Sequence, residues 1–222
     1  TVSASSLTFT SADWDTPQTV TVTGQDDDII DGTQTATITM SIDAASTDDD
    51  FDGVSDQTIS ADNTDDDVAG FTIAESSGST EVTEAGGTDT YTVVLDAEPA
   101  TDVVINVTSG DTGEATVDQS SLTFTSANWD TPQTVTVTGV DDNIIDGTQT
   151  ATITMSIDAA STDDDFDGVS DQTVSADNTD DGVAGFTIAE SSGSTEVTEA
   201  GATDSYTVVL DAEPASDVVI DV

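Results

Sequence analysis

The chain contains no lysine, no arginine and no histidine, against 47 acidic residues in 222 and a formal net charge of −47. Phosphate recognition is carried by Lys and Arg, so nucleic acid is excluded as a partner. Adhesion to an anionic membrane would need a bridging divalent ion. Side-chain salt bridges within the chain are impossible, as are isopeptide crosslinks that consume a lysine. Cysteine is also absent. No disulfide can hold the fold, and oxidising and reducing compartments are equally compatible with it. No hydrophobic run approaches the length of a membrane span, and no signal peptide is visible. Without Cys, His or Lys the usual nucleophiles and bases are missing. A glycosidase needs only two carboxylates, but acids are so numerous here that any pair carries little information. The composition therefore reads as that of a non-enzyme.

What is present is charge of one sign in runs. Asp141-Asp142-Asn143-Ile144-Ile145-Asp146-Gly147 follows the alternating segment Thr134-Val135-Thr136-Val137-Thr138. Its copy, Asp26-Asp27-Asp28-Ile29-Ile30-Asp31-Gly32, follows Thr19-Val20-Thr21-Val22-Thr23. Carboxylates about 4 Å apart repel by roughly 1 kcal/mol in water, and by more where solvent is thinned. A disordered acidic tail is argued against by the β-branched alternation. General surface acidity accounts for scattered acids but not for runs such as Asp163-Asp164-Asp165. The reading that remains is a cation supplied from outside.

The chain repeats itself. Trp14 and Trp129, 115 residues apart, lie in SLTFTSADWDTPQTVTVTG and SLTFTSANWDTPQTVTVTG. Phe51 matches Phe166, Tyr91 matches Tyr206 and Pro99 matches Pro214 at the same offset, and 1–107 differs from 116–222 at 11 positions. That period is too long for a solenoid unit and suits an independent domain. The expected organisation is the C-terminal part of one repeat in 1–67, a complete repeat in 68–182 and the N-terminal part of a third in 183–222. Two periods of 115 make 230 against 222 residues, and the difference of eight corresponds to Thr108–Ala115. The expectation is a window on a continuous array, whose partial units could complete one another between neighbouring copies.

Within one unit, Phe71–Ile73 with Glu81–Thr83 read as a broken first strand. Segments 90–95, 103–107, 121–125, 134–138, 150–155 and 173–176 read as six more. Short strands with period-2 patterning and polar turns predict an all-β antiparallel sandwich of about seven strands. Threonine on the outer faces is a good strand former that stays wet. Trp129, in the connection after the fourth strand, reads as a packing cap. With Phe166, also placed on a loop, it is the alternative support for ligand stacking.

If consecutive strands alternate in direction, the first, third and fifth connections and the end of the last strand share one pole. That pole then receives Glu84, Glu114, Asp141, Asp142, Asp146, Asp180 and Asp181. Calcium takes about six to eight oxygens and tolerates several carboxylates. Magnesium keeps its waters, and zinc usually wants the His or Cys that are lacking here. Several Ca2+ ions per repeat are therefore expected. The opposite pole carries Asp163-Asp164-Asp165-Phe166-Asp167-Gly168, a D-x-D-x-D-G pattern like the first half of a calcium loop. Asp163, Asp165 and Asp167 are its candidate ligands, although Val174 stands where a closing Glu is expected.

A strand ending in DDDII-D, a last strand closing on DDD-x-A-G and an E-x-G-G turn resemble the Calx-beta domain of sodium–calcium exchangers and large surface proteins. The resemblance spans each unit. It implies an immunoglobulin-like sandwich with calcium clustered at one pole. It carries the ligand set onto the same seven acids of 68–182, onto Asp26, Asp27, Asp31, Asp65, Asp66 and Asp67 of the first segment, and onto Glu199 of the last. Gly182 replaces the third acid found at Asp67, and Asp146 is shorter than a Glu. The functional expectation is a structural repeat of a bacterial or archaeal surface adhesin, stalk or biofilm-matrix filament. It would be extracellular, stiffened by calcium and partnered head to tail by identical repeats. The alternative is a calcium-dependent module that binds a glycan or receptor.

Overall fold

The computed structural model describes residues 1–45, 48–160 and 162–222. Its architecture is all-β, with a β-sandwich at the centre of the chain. The elements in order are β1 (Gln34–Met40), the 3-10 turn η1 (Asp49–Phe51), β2 (Gln57–Asn63), β3 (Phe71–Glu75), β4 (Thr80–Thr83) and β5 (Thr88–Leu95). Then come β6 (Val103–Ser109), β7 (Ala115–Val117), β8 (Ser121–Phe124), β9 (Gln133–Gly139) and β10 (Gln149–Ile157). The turn η2 (Asp164–Phe166), β11 (Gln172–Thr179), β12 (Phe186–Glu190) and β13 (Tyr206–Leu210) complete the chain.

The central sandwich has one sheet ordered β4-β11-β10-β6-β8 and another ordered β3-β5-β9-β7. The break expected in the first strand hands the chain from one sheet to the other. β3 pairs antiparallel with β5, whereas β4 pairs parallel with β11. Ser77 and Gly78, at φ 90° and 84°, make the reversal between them. Splitting is also why the sandwich has more strands than the seven expected. β7 joins β9 and β8 joins β6, so the segment after β6 serves both sheets.

Alternation fills the core. Tyr91, Val93 and Leu95 of β5 face Val103, Ile105 and Val107 of β6, with Val135, Val137, Ala151, Ile153 and Met155, all nearly inaccessible. The intervening threonines stay partly or fully wet. The Tyr91 hydroxyl donates to Met155 Sδ at 3.2 Å, giving the buried phenol its polar partner. Trp129 packs against the core from its loop, and its carbonyl accepts from Leu95 N at 3.1 Å. Phe166, expected on an exposed loop, is fully buried.

Before and after the sandwich, β1 pairs with β2 and β12 with β13, each as a two-stranded antiparallel sheet. β1–β2 has the register that β10–β11 has one period later, and β12–β13 that of β3–β5.

Candidate metal centre

Strand register alone assembles one pole of the sandwich. Thr83 lies opposite Thr179, Thr88 opposite Thr138, Ala115 opposite Gly139 and Gln149 opposite Asn178. The acids just beyond these positions therefore converge. Backbone hydrogen bonds stitch the rim: Glu84 N to Thr179 O at 3.1 Å, Gly139 N to Gly87 O at 3.0 Å and Val140 N to Glu114 O at 2.9 Å.

At this rim Glu84, Asp141 and Asp181 each place a carboxylate oxygen within 4.8 Å of the other two. Two oxygens bound to one calcium at about 2.3–2.6 Å can lie up to about 5 Å apart, so one ion can touch all three. Glu84 is only 2% exposed, whereas Asp141 and Asp181 are open to water. Its Oε2 accepts from Asp181 N at 3.3 Å. Burial, helped by the nearby charges of Asp180, Asp142 and Asp146, raises the Glu84 carboxyl above the ordinary glutamate value. A buried carboxylate that faces further acids and no cation in its own chain fits a hard, oxygen-seeking ion.

The remaining expected ligands surround this trio in different ways. Asp180 accepts from Gly147 N at 2.8 Å and Gly182 N at 2.7 Å, which hold its carboxyl below the usual aspartate value. It thereby clips the β9–β10 loop to the segment leaving β11. Asp142 Oδ1 caps its own turn, accepting from Ile144 N at 2.7 Å. Asp146 lies in the same loop, exposed, and contributes to the field on Glu84. Glu114 is reached through Asn178, whose Nδ2 donates to Glu114 Oε2 at 3.1 Å and to Val140 O at 3.0 Å.

Asn178 is the residue that motif reading missed. It is fully buried, and its Oδ1 has no hydrogen-bond partner among the described residues. A signal existed in the alternation Val174, Ala176, Asn178, which puts an amide on the inward face at the end of a strand. The donor contacts to Glu114 and Val140 fix the amide's orientation, because the flipped form would set its oxygen against two acceptors. Oδ1 is left against Gly139, where a Cβ would meet it at 2.6 Å and would also strike the Thr83 carbonyl.

The first segment repeats part of this pole. Asp26, Asp27, Asp31, Asp65, Asp66 and Asp67 line an open cleft of about 250 Å³ with Gly24, Gly32 and Asn63. Asp65 repeats the role of Asp180, accepting from Gly32 N at 2.7 Å and Asp67 N at 2.9 Å. Asp67 is raised above the usual value, first by desolvation and then by Asp65, Asp28, Asp66 and Asp26. Glu199 lies exposed in the last segment.

The opposite pole uses its acids otherwise. Asp163 is buried, caps η2 through Asp165 N at 3.1 Å and accepts from Thr101 N at 2.7 Å and Thr101 Oγ1 at 3.2 Å. Its carboxylate is satisfied by donors and anchors the loop to the β5–β6 connection. Asp165 and Asp167 point to solvent.

No family model matches the chain, and no curated protein matches it. Among solved structures, domains 4 and 5 of the S-layer protein SbsC align at 26% identity and TM-score 0.36, over 58% of this chain and 54% of that one. The chain thus spans about half of that domain pair. A longer SbsC piece, domains 4–9, aligns at 27% identity and TM-score 0.36, over 62% of this chain and 18% of that one. The apo-form Calx CBD1 domain aligns at 16% identity and TM-score 0.34, over 50% of this chain and 98% of that one. Among the described residues, no helix is long and apolar enough to cross a membrane.

Proposed function

We propose that the chain is a stretch of a cell-surface or matrix filament built from near-identical β-sandwich repeats and stiffened by calcium, with no catalytic role. The observation that carries the reading is the pole where Glu84, Asp141 and Asp181 bring three carboxylates within 4.8 Å. They come from the β4–β5 turn, the β9–β10 loop and the segment that leaves β11. An ion shared by them ties the exit of one repeat to its body, at the end facing the next repeat. Several segments that repel one another without the ion would be held together by it.

The alternative, a module that holds a glycan or receptor through bound calcium, draws its support from Trp129 and Phe166. In the central sandwich Phe166 is fully buried and Trp129 packs against the core, so neither of these two offers a free ring face for a ligand. Absence of Lys and Arg also leaves trypsin-like proteases no cleavage site, an advantage outside a cell. The test is to titrate the chain with Ca2+ by calorimetry, then chelate it and follow thermal unfolding and persistence length. Loss of stiffness and a lower midpoint on chelation are expected. Unchanged values would remove the proposal.

A further inference from the structure

The two isoleucines of the acidic loop do nothing for an ion. In the central sandwich Ile144 and Ile145 are 40% and 45% exposed, an apolar pair set between aspartates. In the first segment the matching Ile29 and Ile30 are half-buried, and Ile30 packs against the core of the following sandwich. The same pair is thus covered where a complete unit follows.

The cover is a defined corner. Ile29 forms a parallel β-bridge with Glu98, and Glu98 N donates to Asp28 O at 2.7 Å. One period later Ile144 bridges Glu213, and Glu213 N donates to Asn143 O, again at 2.7 Å. Asp28 and Asn143 differ in charge, yet the bond is the same, because it is made by the backbone. Ala97 and Pro99 beside Glu98 are buried, which holds the corner rigid. Beside this bond runs the covalent linker, itself pinned where Asp96 N donates to Gly70 O at 2.9 Å, and Asp211 N to Gly185 O at 3.0 Å.

We infer that the Ile-Ile corner of each β9–β10 loop is a latch that docks onto the β5–β6 corner of the next repeat and fixes the angle between them without an ion. A linker alone is a single tether and leaves two sandwiches free to bend. A second attachment, at Glu98 beside the linker's own pin at Asp96, restricts that freedom. This goes beyond the calcium reading, since the latch uses only apolar contact and a backbone bond.

The test is amide hydrogen exchange on the whole chain in excess EDTA, comparing wild type with Ile29→Asn/Ile30→Asn. The second junction, with Ile144 and Ile145 intact, serves as an internal control. The expected result is a slowly exchanging Glu98 amide in wild type that exchanges at least about ten-fold faster in the variant, with Glu213 and the β5 and β9 amides unchanged. Spin labels at Thr37→Cys and Thr123→Cys, in a chain with no native cysteine, should then show a narrow distance distribution that broadens in the variant. Equal Glu98 exchange in the two proteins overturns the latch. So does fast Glu98 exchange in wild type as soon as calcium is removed, which would leave the ion as what fixes the junction. A chain that binds no calcium yet keeps Glu98 protected would sink the calcium reading and leave the latch standing.

Discussion

At the scale of single residues, the pole depends on atoms that only particular side chains leave room for. Gly139 sits where Asn178 Oδ1 and the Thr83 carbonyl close over it, and a Cβ would press on that backbone carbonyl. Gly139→Ala should therefore cost about 3 kcal/mol in urea unfolding, as overpacking of a closed core site does. Gly147→Ala meets no atom within 4 Å, but its φ of +76° should cost only about 1 kcal/mol. Glu84 sets a pH dependence of definite sign. Its carboxyl is raised above the ordinary 4.5, so the ion-free fold holds more protons there than the unfolded chain. Stability from Glu84 is then lost as pH rises through the range just above 4.5. Asp180, depressed below 3.8, acts the other way and loses its contribution only as pH falls below that value. In chelator the melting midpoint should be higher at pH 5 than at pH 7, and with saturating calcium the order should reverse because protons then compete with the ion. Glu84→Gln should shrink both differences, as read by calorimetry at the two pH values.

At the scale of elements, the strands were legible because each side of the sheet is either dry or wet. Tyr91-x-Val93-x-Leu95 and Ala151-x-Ile153-x-Met155 can present only one face to a core, and the structure buries that face. The broken first strand was legible for the same reason, since Phe71 and Val82 lie out of phase across a turn. The convergence of Glu84, Asp141 and Asp181 followed from alternating strand direction. What could not be read was which acids would be taken up by the backbone. Asp163 in the D-x-D-x-D-G stretch has the spacing of a ligand, yet its Oδ2 accepts from Thr101 N and Oγ1, a neighbour from a distant connection, and its Oδ1 from Asp165 N. Phe166 followed it inward, because a 3-10 turn capped by Asp163 aims the ring at the core. Asn178 escaped motif reading because its one signal, the alternation Val174, Ala176, Asn178, gives the face it lies on and not what its amide touches. The element-scale prediction concerns Asp163→Ala, which removes a cap and the tie to Thr101. It should lower unfolding free energy by about 2 kcal/mol while leaving calcium binding at the other pole unchanged in a titration.

At the scale of the whole molecule, the question is how a polyanion of −47 stays compact. Self-repulsion acts on every repeat, and the chain has no basic side chain to offset it. The equivalent poles of the first segment and the central repeat are not equal in charge. Asp28 and Asp67 of the first segment become Asn143 and Gly182 in the central repeat, two acids fewer. Asp67 already feels its neighbours, being raised by Asp65, Asp28, Asp66 and Asp26 after desolvation. The same charges that burden an ion-free pole strengthen the pull on a divalent ion. Gly182→Asp should therefore act with opposite signs in the two conditions. Its Cβ would approach Asp180 Oδ1 at 2.9 Å, Ile145 Cγ1 at 3.2 Å and the Ile144 carbonyl at 3.4 Å, so the two side chains must shift by a few tenths of an ångström. In chelator the variant should melt a few degrees below wild type. With calcium it should bind at least several-fold more tightly, since a further carboxylate adds both charge and a hard oxygen. An ion present at about 100 times its dissociation constant adds about 2.7 kcal/mol to the folded state, so the calcium-induced rise in midpoint should be larger in the variant. Calorimetric titration with paired melts decides it. An equal rise in both proteins would mean that the ion that stabilises the fold does not lie near residue 182.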